Sequence, residues 1–282
     1  MNYFEYLGLK EEPFSTSPDP EFFYRSTAHE SALQRLEIAI RLKRGLSLVL
    51  GDVGTGKTTL CRTLLQSLKD DTFIFHIILN PKYDSEYQFL HSLCRMFEAA
   101  PLYRSSLDCQ EAIQRYLIQQ GVDKNKTVVL LIDEGQNLTT SLIEILRILL
   151  NFETNQFKLL QLVIMAQLEL LPRINRIRNF MDRVSMKYII NPFGLEETKE
   201  MIQFRLTQGG YRGPALFTDG AIEAVHYYAQ GYPRQITLLC HTALEYLVMK
   251  GESVVDDGLL EEIIRDRGQG DIVESNANKT YT

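Results

Sequence analysis

Residues 46–60 read LSLVLGDVGTGKTTL, and this stretch restricts the fold more than any other. Leu46 to Leu50 is an almost wholly apolar run, as expected of a strand buried on both faces. Three glycines, Gly51, Gly54 and Gly56, follow within six positions, and then Lys57, Thr58 and Thr59. Leu60, Leu64, Leu65 and Leu68 come next at helical spacing. Strand, flexible turn and helix in that order predict a βα unit of a parallel sheet. Gly51-Asp52-Val53-Gly54-Thr55-Gly56-Lys57-Thr58 fits G-x-x-x-x-G-K-[ST] at each fixed position, the Walker A pattern. Glycines let successive backbone N–H groups turn inward toward an anion. The positive end of the following helix faces the same spot. Lys57 is placed to reach the outer phosphates of a nucleotide, and the Thr58 hydroxyl to ligate magnesium. Thr59 is expected to bond an inner phosphate.

A phosphate loop of this kind requires an acidic partner on another strand. TVVLLIDEGQN, residues 127–137, supplies it as a Walker B pattern. Val128 to Ile132 is apolar throughout, and Asp133 ends the run, where ligands bind in open α/β sheets. Asp133 is expected to hold magnesium through water, and Glu134 to polarise the attacking water as general base. TFIFHIIL, residues 72–79, forms one more strand between the two motifs, so their strands need not be neighbours.

Further strands are predicted at 159–167 and 184–191, giving five in all, with helices between them. A helix precedes the phosphate loop, with Thr27 and Glu30 as a capping box and Gly45 as its end. Others cover SEYQFLHSLCRMF, LDCQEAIQRYLIQQG closed by Gly121, and LTTSLIEILRILLNFET. The pattern changes at NPFGLEET, where Pro192 and Gly194 interrupt it. Helices alone follow, near 195–208, 218–229, 233–250 and 256–266, the first three ended by Gly209-Gly210, Gly231 and Gly251. The domains expected are an α/β nucleotide-binding domain over 1–192 and an all-helical lid over 193–268; the polar 269–282 reads as a disordered tail.

Composition narrows the function classes. Of 282 residues, 30 are Lys or Arg and 36 Asp or Glu, a net charge of −6 that disfavours a dedicated nucleic-acid binder. Cys61, Cys94, Cys109 and Cys240 show no CxxC spacing, so reduced, buried thiols are expected. The N-terminus lacks the basic and apolar regions of a signal peptide, and no apolar run is long enough to span a bilayer.

YLGLKEEPFSTSPDPEFFYRSTAHESALQRL, GDVGTGKTTL, LLIDEGQNL, ILRILLNFET, AQLEL and GYPRQITLLC occur in this order over about residues 3–245. Together they resemble the ExeA/GspA-type AAA+ ATPases of bacterial secretion and pilus assembly, MshM-like proteins among them. The resemblance implies an AAA+ core with a helical lid, ATP and Mg2+ as cofactors, and a homo-oligomer, ring-shaped and hexamer-like. It assigns Gln167 as a sensor of the γ-phosphate. Arg234, in the first turn of a lid helix begun by Pro233, is assigned to reach the same group, a task suited to a permanently charged, bidentate side chain. It points to Arg183 as the arginine finger, among Arg173, Arg176, Arg178 and Arg183. It places Phe22-Phe23-Tyr24 near the adenine.

The reading that follows is an ATP-hydrolysing AAA+ ATPase supporting a secretion or type IV pilus system. It would be cytoplasmic, with peripheral attachment at the inner membrane through a membrane-anchored partner and no insertion of its own. The alternative is a DNA-associated AAA+ regulator of transposition, with Arg173, Arg176, Arg178, Arg183 and Lys187 meeting phosphates.

Overall fold

The computed structural model describes residues 3–102, 104–177 and 179–266. Its strands are β1 (Leu46–Gly51), β2 (Phe73–Ile78), β3 (Thr127–Ile132), β4 (Leu160–Ala166) and β5 (Val184–Ile190). Its helices are α1 (Tyr3–Tyr6), α2 (Thr27–Arg41), α3 (Lys57–Ser67), α4 (Glu86–Met96), α5 (Ser106–Ile118), α6 (Thr140–Leu149), α7 (Leu171–Asn175), α8 (Leu195–Gln208), α9 (Asp219–Ala229) and α10 (Pro233–Lys250). A further helix, α11, covers residues 257–266. The chain divides into two compact units. One is formed by Thr27–Val53 and Lys57–Asn191; the other by the described residues of Met1–Ser26 and Pro192–Thr282, with Gly54–Gly56.

In the first unit the five strands form one sheet in the order β2-β3-β4-β1-β5, every neighbouring pair parallel. β4 therefore separates the strand of the phosphate loop from that of Asp133. The three central strands are buried at every position, whereas β2 and β5, at the two edges, are partly exposed. That difference explains why the central strands are continuous apolar runs and the edge strands admit His76 and Lys187. Strand side chains alternate between faces. Leu48, Leu50, Leu130, Ile132, Leu162 and Ile164 share one core with Phe89 and Leu93 of α4, Ile113 of α5 and Leu146 of α6. Residues of the other parity, Val49, Val129, Leu131 and Val163, are buried too, as are Leu36, Ile40, Leu60 and Leu64 of α2 and α3, which pack beside these strands. Each such leucine contributes roughly 1.5–3 kcal/mol by leaving water.

Three expected helix boundaries differ. Thr27 is already inside α2 and does not cap it. α2 is closed by Lys43, at φ 51°, two positions before Gly45, which follows at φ 91°. Gly121 does not close α5: the chain passes through it in a π-turn, Gln119–Asp123. A side chain at Gly121 would meet Leu159 at 3.0 Å, so the glycine serves packing rather than termination.

In the second unit α8 to α11 enclose a core of Met201, Ile202, Leu206, Ile222, Val225, Ile236, Leu244, Leu260 and Ile263. Gly209-Gly210, Gly231 and Gly251 stand after α8, α9 and α10 as expected. Gly231 has φ 72°, and a Cβ there would collide with the Phe193 carbonyl, 2.1 Å away. The expected α/β domain over 1–192 includes the N-terminal residues. Instead Leu9 and Phe14 lie in the helical core, and residues up to Ser26 belong to this unit. Arg205, buried on α8, fixes them. Its Nε donates to Phe22 O (3.1 Å), one terminal nitrogen to Ser15 O (3.3 Å) and the other to the Thr237 hydroxyl (2.8 Å). Its guanidinium also lies over the Phe22 ring, and Tyr24 packs edge-on against Phe193. The tail predicted at 269–282 lies outside the described residues.

Candidate nucleotide site

The phosphate loop leaves the carboxyl end of β1 at Gly51 and enters α3 at Lys57. Gly54 and Gly56 have φ of 83° and 91°, backbone conformations that a side chain would strain. Lys57 is the first residue of α3 and only 7% exposed; its ammonium donates to the carbonyls of Gly51 and Asp52, both at 2.8 Å. Burial pulls its pKa below the usual lysine value, while the carboxylates of Asp133, Glu134 and Asp52 push it back up. The Thr58 hydroxyl donates to Asp133 Oδ2 at 2.6 Å. Thr55 is fully buried; Val53 is exposed; Asp52, Thr58 and Thr59 are intermediate.

Asp133 is buried just past β3, and its other carboxylate oxygen accepts the Glu134 N–H at 2.9 Å. The two residues assigned to magnesium are thus in direct contact, although 75 positions separate them in the chain. Glu134 is exposed and left-handed, at φ 53° and ψ 37°. A short 3-10 turn, Gly135–Asn137, follows it. Gly135 lies flat on β4: a Cβ there would come within 2.5 Å of Ile164 Cγ2.

Gln136 was not singled out in the sequence, yet it joins the site. Its Nε2 donates to the Glu134 carboxylate, and its Oε1 accepts the Gln167 N–H at 3.2 Å. Arg173 was also read differently. Its guanidinium donates to Gln136 O at 2.6 Å and to Leu138 O, so it anchors the turn after Glu134. No sequence signal marks either contact beyond their position in DEGQNL and near AQLEL, since both are made across the sheet end.

Gln167 lies one residue past β4, level with the ends of β1 and β3. Arg183 ends a 3-10 turn before β5, and its Nε is the one buried side-chain nitrogen or oxygen without a hydrogen bond among the described residues. Arg176 and Lys187 are exposed. Arg178 lies outside the described residues. Arg234 is exposed in the first turn of α10, after Pro233, within the helical unit. All four cysteines are free and buried. Among the described residues no helix is long and apolar enough to cross a membrane.

A phosphate loop, an Asp-Glu pair on a separate strand and a five-stranded parallel sheet with helices after it define a class. The fold is that of the AAA+ P-loop NTPases, and residues 40–174 match the AAA domain family. It is similar to general secretion pathway protein A of Aeromonas hydrophila, 34% identical over 258 residues, which is 91% of this chain and 47% of that protein. The chain thus spans about half the length of that relative. Among solved structures, Drosophila ORC bound to DNA superposes with a TM-score of 0.66 at 18% identity, over 93% of this chain and 65% of that one. Cdc6p from Pyrobaculum aerophilum gives 0.62 at 19%, over 86% and 67%. The RuvB branch migration motor of Thermotoga maritima gives 0.57 at 16%, over 87% and 72%. At these identities the likeness is one of fold.

Proposed function

We propose that this chain binds ATP with Mg2+ and hydrolyses it, and that homo-oligomers, ring-shaped and hexamer-like, use the cycle to support assembly of a bacterial secretion or type IV pilus system. The observation that carries the enzymatic part is the 2.6 Å contact between Thr58 and Asp133 beside the buried Lys57. Two hard oxygen donors from the protein suit Mg2+, which keeps most of its waters and takes the rest of its ligands from phosphate. Once bound, the ion neutralises charge on the phosphate oxygens. Backbone N–H groups of Gly54 to Thr59 cradle the phosphates, and Lys57 exchanges its carbonyl partners for their oxygens. Glu134 takes the proton of the attacking water, and the Gln167 amide orients that water or the γ-phosphate. Arg234 engages the γ-phosphate. Arg183, whose Nε has no partner among the described residues, acts on a neighbouring subunit's nucleotide. The similarity to general secretion pathway protein A supports the assignment to secretion, with a membrane-anchored partner supplying attachment at the inner membrane.

The test is Mg2+-dependent ATP binding and turnover. Glu134→Gln should retain ATP affinity and lose turnover by roughly 10²–10⁴-fold, and Lys57→Ala should lose affinity. Unchanged turnover in the first removes Glu134 as the general base, and unchanged affinity in the second removes the nucleotide-site reading. Tight binding to duplex DNA that falls steeply with salt would transfer the chain to the transposition alternative.

A further inference from the structure

Gln136 occupies a position that needs a donor and an acceptor on one side chain, which an amide supplies at any pH. Its side chain is 8% exposed, so its polar atoms have little water to turn to. On one side stands the Gln167 N–H, a donor, which only an acceptor can meet. On the other stands the Glu134 carboxylate, an acceptor, which only a donor can meet. These two neighbours fix the amide's orientation: Oε1 toward β4, Nε2 toward Glu134. The backbone beneath it is equally constrained. Arg173 binds Gln136 O, Asn137 N–H donates to Glu134 O at 2.9 Å, and Gly135 leaves no space above Ile164. Glu134 itself is held in the left-handed region, which costs a non-glycine residue energy and persists only where its surroundings enforce it.

We propose that Gln136 is a positioning residue for ATP hydrolysis: its amide aims the Glu134 carboxylate and ties it to the backbone of Gln167 at the neighbouring strand end. The inference rests on the ATPase reading above and deepens it. The general base and the sensor follow the ends of adjacent strands, β3 and β4, and nothing covalent fixes their side chains relative to each other. A single amide spanning the two strand ends supplies that restraint. A general base displaced by a fraction of an ångström loses much of its effect. The contact involves no phosphate group, so its loss should affect the chemical step and leave nucleotide binding in place.

The experiment measures steady-state ATP turnover, and ATP affinity separately, for Gln136→Leu, Gln136→Glu and Glu134→Gln. Gln136→Leu should lower kcat about 10- to 100-fold while ATP affinity changes less than about threefold. Gln136→Glu keeps the shape of the amide and decides the matter if the leucine variant does not fold. While protonated, its carboxylic acid donates to Glu134 and accepts from Gln167 as the amide does; once ionised, it repels Glu134. Its kcat relative to the parent chain should therefore fall about tenfold or more between about pH 6 and pH 9. A residue that merely fills space would give a flat ratio. Parental kcat in the leucine variant, an affinity loss that accounts for its whole defect, or a flat ratio in the glutamate variant overturns the assignment. If the parent chain turns over no ATP, the ATPase reading itself fails; if Glu134→Gln turns over ATP at the parental rate, the assignment of Glu134 as general base fails. If only the Gln136 variants do, the positioning role alone fails.

Discussion

Gly135→Ala puts the packing of the Glu134 turn to a quantitative test. The added methyl would stand 2.5 Å from Ile164 Cγ2 and 3.2 Å from both Ala166 Cβ and Met165 O. Carbon atoms settle at about 3.5–4.0 Å, so the closest contact is short by about 1 Å or more. Ile164 cannot retreat easily, because it is fully buried in a central strand that pairs with both β1 and β3. Overpacking of this kind costs about 1–3 kcal/mol. Loss of glycine's freedom in the unfolded chain returns about 0.4–1 kcal/mol. The net expectation is a loss of about 1–2 kcal/mol, seen as a lower urea midpoint at unchanged slope. Ile164→Ala alone should cost about 2–5 kcal/mol. In the double variant the methyl enters the space that Ile164 vacates, so the combined loss should fall short of the sum by about 1–2 kcal/mol. Strict additivity, or a Gly135→Ala chain as stable as the parent, would refute the account of why position 135 has no side chain.

His76 should give the sheet unit a stability term that depends on acid. Burial pushes its imidazole down to about 4 from 6.5, so the unfolded chain binds the proton more readily. The folded state holds its full stability above about pH 6.5 and loses it as pH falls toward about 4, by roughly 1–2 kcal/mol once solvent screening is allowed for. His76→Phe should flatten that part of the urea stability profile between pH 4 and 7; an unchanged slope would count against it. Arg205→Leu leaves three acceptors, on Ser15, Phe22 and Thr237, without their charged donor. A loss of about 2–4 kcal/mol is expected, with faster proteolytic cleavage between residues 15 and 25; an unaltered cleavage pattern would argue that the core leucine and phenylalanine suffice.

Elements governed by local pattern were legible from the sequence. Five strands, the helices between them and the glycine breaks of the helical unit follow from apolar periodicity and turn chemistry, and the structure places each within a few residues. The phosphate loop and Asp133 were legible for a related reason: their chemistry requires fixed residue types at fixed spacing. What escaped depends on contacts between distant positions. Gln136 and Arg173 gain their roles only when β3 and β4 lie side by side. Leu9 and Phe14 look like any N-terminal apolar residues until the helical core encloses them. Lys43 closes α2 in the left-handed region two residues before Gly45, which also has positive φ, because the last carbonyls of α2 are met by the N–H groups of Lys43 and Arg44.

The grouping of residues up to Ser26 with those from Pro192 onward has a consequence for biosynthesis. The sheet unit is complete once Asn191 has left the ribosome, and it can collapse on its own. Leu9 and Phe14 are made before the sheet but share a core with residues from Phe193 to Ile263, so that core is complete only about 70 residues after Asn191, on the order of 4–14 s at ordinary translation rates. Throughout that interval these two greasy side chains lack a finished native berth, and a chaperone that grips short apolar stretches has its opportunity there.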